Sequence, residues 1–219
     1  MSHTANPPIQ ILESSFLTSA TSSRNAPASS HSEIVFLGRS NVGKSSLINA
    51  LLNKPLAKSS ATPGKTQLIN FFSSLWLANH QKIPLVFVDL PGFGYAKVSK
   101  SIKAQWEKNL LDFLMARSSI KLFLHLIDSR HTDLEIDRSV SALLHRICHD
   151  DQKILHIYTK ADKLKQNALS ALQRKIQHSN TPSSHSYLCS INMPTHKMTS
   201  IVALRESILH FTLGGKDEF

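Results

Sequence analysis

The sequence predicts an α/β fold, with a mainly parallel six-stranded sheet and helices on both faces. Two observations predict it. Short apolar runs alternate with stretches of helical period along most of the chain. Glycine or acidic residues directly follow several of these runs, as is typical of the loops at the carboxyl ends of parallel strands. We therefore expect functional residues in the loops after Leu37, Val88 and Tyr158.

Six segments have the short apolar or aromatic composition of buried strands. They are Ile34–Leu37, Leu68–Leu77, Leu85–Val88, Leu122–Ile127, Ile154–Tyr158 and Tyr187–Ser190. Helical spacing of apolar residues predicts helices within Lys44–Asn53, Ile102–Leu114, Ala168–Ile176 and Ile201–Leu209. Thr132 and Glu135 have the spacing of a capping box and predict the start of a further helix that ends near Ile147. Five aromatic residues at these positions are expected in the core: Phe71, Phe72, Trp76, Phe113 and Phe123.

The length of 219 residues suits one domain of ordinary size. Residues 1–32 are rich in Ser, Thr, Ala, Asn and Pro, which predicts a flexible arm with a short ordered patch around Ile9–Leu17. A transit peptide is the competing interpretation of this segment. We expect the folded domain over 33–213 and a short tail over 214–219.

The chain is strongly basic, with 25 Lys and Arg against 15 Asp and Glu and a net charge of +10. This surplus favours a polyanionic partner such as nucleic acid, the ribosome or an anionic membrane surface, although a soluble protein can also simply be basic. No apolar run is long enough to span a membrane, and no apolar signal core is present near the start. We therefore expect no stable membrane insertion. The two cysteines form no disulfide framework, which favours the reducing cytoplasm.

Residues Gly38-Arg39-Ser40-Asn41-Val42-Gly43-Lys44-Ser45 match the phosphate-binding pattern G-x-x-x-x-G-K-[ST], after a predicted strand and before a predicted helix. Backbone N–H groups of such a loop surround phosphate oxygens, and the helix adds its positive end. Lys44 would contact the β- and γ-phosphates, and the Ser45 hydroxyl would bind Mg²⁺.

Two further motifs follow later strands. Asp89-Leu90-Pro91-Gly92 provides an acid that can hold Mg²⁺ through water and a glycine N–H that can meet the γ-phosphate. Thr159-Lys160-Ala161-Asp162 provides a carboxylate that can accept hydrogen bonds from N1–H and the exocyclic amine of guanine, and a lysine whose stem can cover the base. Adenine has an acceptor at N1 and no amine at the position where guanine has one, so the combination predicts recognition of guanine.

These motifs resemble those of the EngB family (also called YihA or YsxC) of Ras-like GTPases. Thr62-Pro-Gly-Lys-Thr66-Gln resembles the first switch of that family, Asp89–Ala96 resembles the second, and Phe16–Ala20 and Asp128-Ser-Arg-His131 also match. The resemblance implies a small G domain that binds GTP and GDP with Mg²⁺, hydrolyses GTP slowly and acts in late assembly of the large ribosomal subunit. Members are also associated with cell division and septation. We expect a monomer.

Carried over by resemblance, Gly64, Lys65, Thr66, Gln67 and Leu68 would contact the nucleotide. Thr66 would bind Mg²⁺ with Ser45, and Thr62 is its rival for that role. Leu188, Cys189 and Ser190 would provide the last guanine contact, although this segment departs from the usual family pattern. We expect Lys44, Asn41, Thr66 and Gly92 to support hydrolysis.

Phe93 stands where many GTPases have the glutamine that orients the attacking water, which predicts slow intrinsic turnover. A partner or K⁺ would complete the site, and Asn41 is the candidate K⁺ ligand, with simple loop geometry as the alternative. Basic residues around the helix after the second switch could read ribosomal RNA or form an ordinary solvated face: Lys97, Lys100, Lys103, Lys108, Arg117 and Lys121. A direct role at the division site and a metabolic kinase are the competing functions.

Overall fold

The computed structural model describes residues 8–28, 30–58, 68–93 and 100–214, with the backbone alone for 100–107. Its strands are β1 (Gln10–Ala20), β2 (Ser32–Gly38), β3 (Ile69–Ala78), β4 (Gln81–Asp89), β5 (Ile120–Asp128), β6 (Lys153–Thr159) and β7 (Ser184–Leu188). Its α-helices are α1 (Lys44–Leu52), α2 (Lys100–Ala116), α3 (Glu135–Ile147), α4 (Gln166–Gln177) and α5 (Ile201–Thr212).

The described strands form one seven-stranded sheet in the order β1-β3-β4-β2-β5-β6-β7. Strand β2 pairs in parallel with β4 and β5, and β6 pairs in parallel with β5 and β7. The pairs β1–β3 and β3–β4 are antiparallel. The mainly parallel sheet is therefore confirmed, and the expected count of six strands was one too few.

The additional strand is β1, in the segment for which only a short ordered patch around Ile9–Leu17 was expected. It covers 11 residues and lies along β3 at one edge of the sheet. Serine pairs join the two strands, with the Ser14 and Ser74 hydroxyls 2.9 Å apart and those of Ser15 and Ser73 2.8 Å apart, and the Phe16 ring packs against that of Phe72. Residues 10–20 thus belong to the sheet and not to an arm.

Helices cover both faces of the sheet, as the alternating pattern predicts. Helices α1 and α5 pack on one face through residues that include Leu47, Leu51 and Ile208. On the other face lie α2 and α3, with Phe113 and Leu144 buried against the sheet. The five aromatic side chains expected in the core are all buried, with at most 2% of their surface exposed.

Helix α3 begins later than the capping-box pattern predicted. Leu134 is its N-cap and makes no side-chain cap hydrogen bond, so the predicted cap by Thr132 was wrong. Two acidic residues in the first turn, Glu135 and Asp137, favour this start because they lie at the positive end of the helix. Among the described helices, none combines the length and apolar character needed to cross a membrane.

Candidate functional site

The parallel strands end at one edge of the sheet, and the three sequence motifs meet there. Strands β2, β4 and β6 end at Gly38, Asp89 and Thr159, the first residues of the three motifs. In the sheet Phe36 pairs with Asp89, and Asp128 pairs with Thr159, which brings the ends of the strands level. This arrangement is the one expected for a ligand site in a parallel α/β sheet.

The glycine-rich loop over residues 38–45 folds tightly between β2 and α1. A Cβ on Gly38 would lie only 2.8 Å from Cγ1 of Val42, so a side chain there would push the loop open. Asn41 (φ 64°) and Gly43 (φ 106°) both adopt the left-handed region, which asparagine and glycine tolerate best. The loop thus turns its backbone toward the N-terminus of α1, which can bind an anion.

Lys44 and Asp89 form an ion pair beneath this loop. The Lys44 ammonium contacts Oδ1 of Asp89, and the two side chains are only 11% and 8% exposed. The next residue, Ser45, has its hydroxyl 3.4 Å from the Lys58 carbonyl oxygen. A lysine, a serine hydroxyl and a carboxylate therefore meet at the start of α1. The two oxygen-bearing side chains are of the type that Mg²⁺ prefers, and the ammonium suits a phosphate.

The segment after β4 lies directly on the glycine-rich loop. The Phe93 N–H donates to the Gly38 carbonyl, and the Ser40 N–H donates to the Phe93 carbonyl, both at 3.2 Å. A Cβ on Gly92 would lie 2.9 Å from the Ser40 backbone nitrogen, so only glycine fits this contact. Leu90 is buried, and its N–H donates to the Phe36 carbonyl at 3.1 Å. Residues Asp89, Leu90, Pro91 and Gly92 thus border the loop as predicted.

The segment after β6 is fastened to the same loop by two side chains. The Thr159 hydroxyl donates to the Val42 carbonyl at 2.6 Å. The Lys160 ammonium donates to the Asn41 carbonyl at 2.5 Å, and Lys160 itself adopts a left-handed backbone (φ 56°). These hydrogen bonds join residues that lie more than a hundred positions apart in the sequence, and they make the two segments one site.

Asp162 and Ser190 meet on the side of this site away from Asp89. The Ser190 hydroxyl donates to Oδ1 of Asp162 at 2.7 Å, and the Ala161 N–H donates to the Cys189 carbonyl at 3.3 Å. Oδ2 of Asp162 is buried, has the Lys163 ammonium at 3.4 Å and accepts no hydrogen bond from the described residues. Leu188 ends β7 and is itself buried.

The ionisation of Asp162 is set by two opposing effects. Burial raises the pKa of this carboxyl, but the hydrogen bond from Ser190 and the positive charge of the nearby Lys163 lower it by more, and the net pKa lies below the usual value. The group therefore carries its negative charge at neutral pH. A carboxylate with one oxygen still able to accept hydrogen bonds suits a ligand edge that has two N–H donors.

Several expected site residues lie outside the described part of the chain. These are Gly64, Lys65, Thr66, Gln67 and the rival Thr62, all within residues 59–67. Leu68 is described and lies half-buried directly before β3. The expected contacts of all these residues with the nucleotide and Mg²⁺ stay predictions.

The predicted basic face around α2 loses one of its members. Arg117 is not part of a solvated surface, because its guanidinium pairs with the buried Glu33 and donates to the Pro27 carbonyl at 3.2 Å. Lys121 pairs with Asp151 at 2.5 Å. Lys97 and the side chains of Lys100 and Lys103 lie outside the description, and Lys108 is exposed. The charge of this face is thus smaller than the sequence suggested.

Two groups of polar residues at this end of the sheet had no role assigned from the sequence. Asp128, Arg130 and His131 border a cavity of about 230 Å³ beside the glycine-rich loop. Behind Phe93, the fully buried His125 lies 3.9 Å from the buried Asp137. The first group had a sequence signal, since Asp128 directly follows a buried strand. The second had only a histidine within an apolar run.

Comparison with known proteins identifies relatives along nearly the whole chain. A family model described as "50S ribosome-binding GTPase" matches residues 33–160. The chain is 60% identical over 216 residues to a probable GTP-binding protein EngB of Helicobacter hepaticus, which covers 94% of this chain and 97% of the relative. A protein of the same name from Campylobacter jejuni strain RM1221 is 55% identical over 170 residues, or 77% of this chain and 86% of that one.

Solved structures show the same fold at low sequence identity. The crystal structure of a probable GTP-binding protein engB superposes with a TM-score of 0.58 at 19% identity, over 83% of this chain and 99% of that chain. Toc33 from Arabidopsis thaliana in complex with Mg²⁺ and GMPPNP gives a TM-score of 0.56 at 17% identity, over 84% of this chain and 85% of that chain. Together with the sequence matches, the P-loop fold shows that the chain belongs to the EngB family of GTP-binding proteins, a family of P-loop GTPases.

Proposed function

We propose that the protein binds GTP and GDP with Mg²⁺, hydrolyses GTP slowly and acts as a nucleotide-dependent switch in assembly of the large ribosomal subunit. The observation that carries the nucleotide part is the attachment of the base-recognition segment to the phosphate loop. Thr159 and Lys160 bind the carbonyls of Val42 and Asn41, while Asp162 presents a charged carboxylate on the same segment. Phosphates and base can therefore be held by one rigid unit.

Guanine selectivity follows from the hydrogen-bonding capacity of Asp162. Its Oδ1 is already bound by Ser190, while Oδ2 accepts no hydrogen bond from the described residues. Guanine brings two donors, N1–H and the exocyclic amine, which a carboxylate can pair. Adenine has an acceptor at N1 and no amine on C2, so its binding would leave a partly buried charge unsatisfied.

The variant Asp162→Asn tests this assignment. An amide offers one donor and one acceptor, which matches the N1–H and the 2-carbonyl of xanthine better than guanine. We expect GDP affinity to fall about 100-fold, since its charge-assisted hydrogen bonds to the carboxylate are lost, and xanthosine diphosphate affinity to rise, since the neutral amide can pair with both the N1–H and the 2-carbonyl of xanthine. The matched control is Asp133→Asn, because Asp133 is an exposed carboxylate that pairs with Lys175 at the surface. Unchanged base preference in Asp162→Asn would contradict the assignment.

The phosphate side of the site fits a nucleotide with Mg²⁺. Lys44 is presented at the N-terminus of α1 and pairs with Asp89, so phosphate oxygens can take the place of that carboxylate. Ser45 and, through water, Asp89 would hold Mg²⁺, and Thr66 would join them when the γ-phosphate is present. The ion would supply positive charge against the phosphate oxygens.

Slow hydrolysis is supported by the residue after Gly92. Phe93 is half-buried, its ring centroid lies 6.3 Å from that of His125, and it has no group to orient water. A partner or K⁺ would then raise the rate. Asn41 is exposed at the loop, and its left-handed backbone also explains its presence by geometry. Equal hydrolysis rates in Na⁺ and K⁺ would remove the K⁺ proposal.

The ribosomal role rests on the charge surplus of +10 and on the description of the matching family model. Co-sedimentation with purified large ribosomal subunits tests it, with a non-hydrolysable GTP analogue, GDP or no nucleotide at several salt concentrations. We expect binding with the analogue that weakens with GDP and with added salt, since phosphate contacts release counterions. Equal binding in all three states would indicate nonspecific attraction to RNA.

A direct role at the division site is the second candidate. In that case septation would depend on the protein itself and not on the supply of ribosomes. Absence of binding to the large subunit in every nucleotide state would favour it. We place the protein in the cytoplasm as a monomer in either case.

A further inference from the structure

Asp128 lies at the centre of a charged cluster between β5 and the base-recognition segment. Its Oδ1 accepts a hydrogen bond from Arg130 Nε at 2.9 Å, and its Oδ2 accepts one from Arg130 Nη2 at 2.7 Å. The same Oδ2 accepts a hydrogen bond from Lys160 Nζ at 3.0 Å. The carboxylate side chain is only 8% exposed, whereas the side chains of Lys160 and Arg130 are 29% and 44% exposed.

Lys160 is thereby held from two sides. Its ammonium donates to the Asn41 carbonyl of the phosphate loop and to the Asp128 carboxylate at the end of β5. A lysine side chain has several rotatable bonds, so a single acceptor would leave its stem free to swing. Two acceptors on different elements fix the ammonium, and they fix the stem that leads to it.

Arg130 keeps Asp128 in the orientation that this contact requires. The two guanidinium nitrogens bind the two carboxylate oxygens, and the Arg130 backbone N–H donates to Oδ1 at 3.1 Å. Burial alone would raise the pKa of Asp128, but the hydrogen bonds from Arg130 and Lys160 hold it well below its usual range. The carboxylate is therefore charged at every pH at which the protein would be assayed.

We propose that Asp128 is a positioning residue for nucleotide binding. It holds Lys160 against the phosphate loop, so that the phosphate loop and the base-recognition segment bind the nucleotide as one rigid unit. The inference rests on the proposed function, because it concerns the same guanine nucleotide site. Asp128 acts through Lys160 and does not itself touch the nucleotide. Its loss should therefore speed nucleotide release and leave the chemical step unchanged.

The test measures the release of a fluorescent N-methylanthraniloyl derivative of GDP from the full chain in Mg²⁺ buffer. Asp128→Asn removes the charge and leaves one acceptor for two cationic donors, so we expect release about 10-fold faster than in the wild type. Asp133→Asn lies a few residues further along the same loop and is the control, with release within about twofold of wild type. Single-turnover hydrolysis of bound GTP should stay within about twofold in both variants.

A double-mutant cycle separates positioning from a general structural role. Lys160→Met keeps an unbranched stem and removes the ammonium, so Asp128 has nothing left to position. In that background we expect Asp128→Asn to change release by less than about twofold, which is the signature of residues that act as a pair. A further 10-fold acceleration in that background, or no effect of Asp128→Asn in the wild type, would overturn the inference.

Failure of the wild-type chain to bind the nucleotide and failure of Asp128→Asn to fold are distinguished from the outcomes above. If the wild-type chain itself fails to bind the GDP derivative, the proposed function fails, and not the inference alone. If Asp128→Asn does not fold, the cycle is run with Asp128→Glu, which keeps the charge and displaces it by one methylene. We then expect Asp128→Glu to speed release about threefold in the otherwise wild-type chain and to leave it unchanged in the Lys160→Met background. A release rate for Asp128→Glu equal to that of the wild type, or an equal acceleration in both backgrounds, would overturn the inference.

Discussion

The Ser190 hydroxyl donates a hydrogen bond to Oδ1 of Asp162 at 2.7 Å and in turn accepts one from the Met193 N–H at 3.2 Å. The serine is held by the loop after β7, and it holds the carboxylate after β6. This loop has Cys189 before Ser190 and no glycine from Asn192 to Thr199, which departs from the pattern that the resemblance to the EngB family implies. The contact with Asp162 is present despite that change.

Removal of this hydroxyl should weaken nucleotide binding. In Ser190→Ala, Oδ1 of Asp162 loses its partner and the carboxylate can rotate away from the base. We expect the Kd for GDP to rise about 10-fold, the value of one hydrogen bond to a charged group. Titration calorimetry measures it. Ser186→Ala on β7 is the matched control, since its hydroxyl lies 3.5 Å from that of the exposed Ser179. Equal affinities of the two variants would contradict the role of Ser190.

Gly92→Ala should impair hydrolysis more than binding of GDP. The new methyl group would lie 2.9 Å from the Ser40 backbone nitrogen and would displace the segment after β4 from the phosphate loop. We expect the single-turnover rate of GTP hydrolysis to fall at least about 10-fold, while GDP affinity changes less than about threefold. Ser40→Gly should not rescue the variant, because it removes the clash with the Ser40 Oγ but leaves the equally close clash with the backbone nitrogen. Rescue, or an unchanged rate, would show that the close contact is not needed.

Arg117→Ala should destabilise the fold. Arg117 Nε donates to Glu33 at 2.7 Å, and the guanidinium lies 5.4 Å from the Phe71 ring centroid and 5.2 Å from that of Phe113. Its loss leaves the buried Glu33 carboxylate unpaired, and we expect the free energy of unfolding to fall by about 3–5 kcal/mol. Urea denaturation measures it.

The control for Arg117 is an exposed pair. Lys121→Ala removes the contact with Asp151, where both partners are solvent-accessible, and should change stability by less than about 1 kcal/mol. The double variant Arg117→Met with Glu33→Leu should recover part of the loss, since no buried charge is left unpaired. A double variant less stable than Arg117→Ala would contradict the explanation.

Acid should destabilise the protein through His156. Burial, together with the neighbouring His125 and His145, lowers the pKa of His156 to about 3, whereas an unfolded histidine titrates near 6.5. Between these values the unfolded chain binds a proton that the folded chain refuses, so stability falls as pH falls. The contribution is about 1.4 kcal/mol per pH unit, or about 2 kcal/mol from pH 7 to pH 5.

The measurement compares urea denaturation at pH 7 and pH 5. His156→Phe should lose about 2 kcal/mol less than the wild type over this range, because the titrating group is gone. His149→Gln, an exposed histidine, should keep the wild-type difference. The same pH dependence in all three proteins would show that His156 does not remain neutral in the fold.

The site could be predicted from the sequence to the extent that its chemistry is local. Gly38–Ser45, Asp89–Gly92 and Thr159–Asp162 each follow a buried strand, and parallel strands bring such loops to one edge. The contacts that join them could not be predicted. The hydrogen bond from Lys160 to the Asn41 carbonyl spans 119 positions, and no local pattern encodes it.

The missed elements have physical reasons of the same kind. Strand β1 lacks a clean alternation of polar and apolar residues, because bulges between Ile11 and Glu13 and between Phe16 and Thr18 shift its register. Its serines are typical of a loop, and only the structure shows their partners on β3. Arg117 looked like one of several surface cations, because its partner Glu33 lies 84 positions away.

The central claim is that this edge of the sheet selects guanine nucleotides. The most direct test is calorimetric titration of the purified wild-type chain with GDP and with ADP in the same Mg²⁺ buffer. The loss of paired N–H donors and the unsatisfied charge on Asp162 predict that GDP binds at least about 1,000-fold more tightly than ADP. Comparable affinities for the two nucleotides would contradict the account.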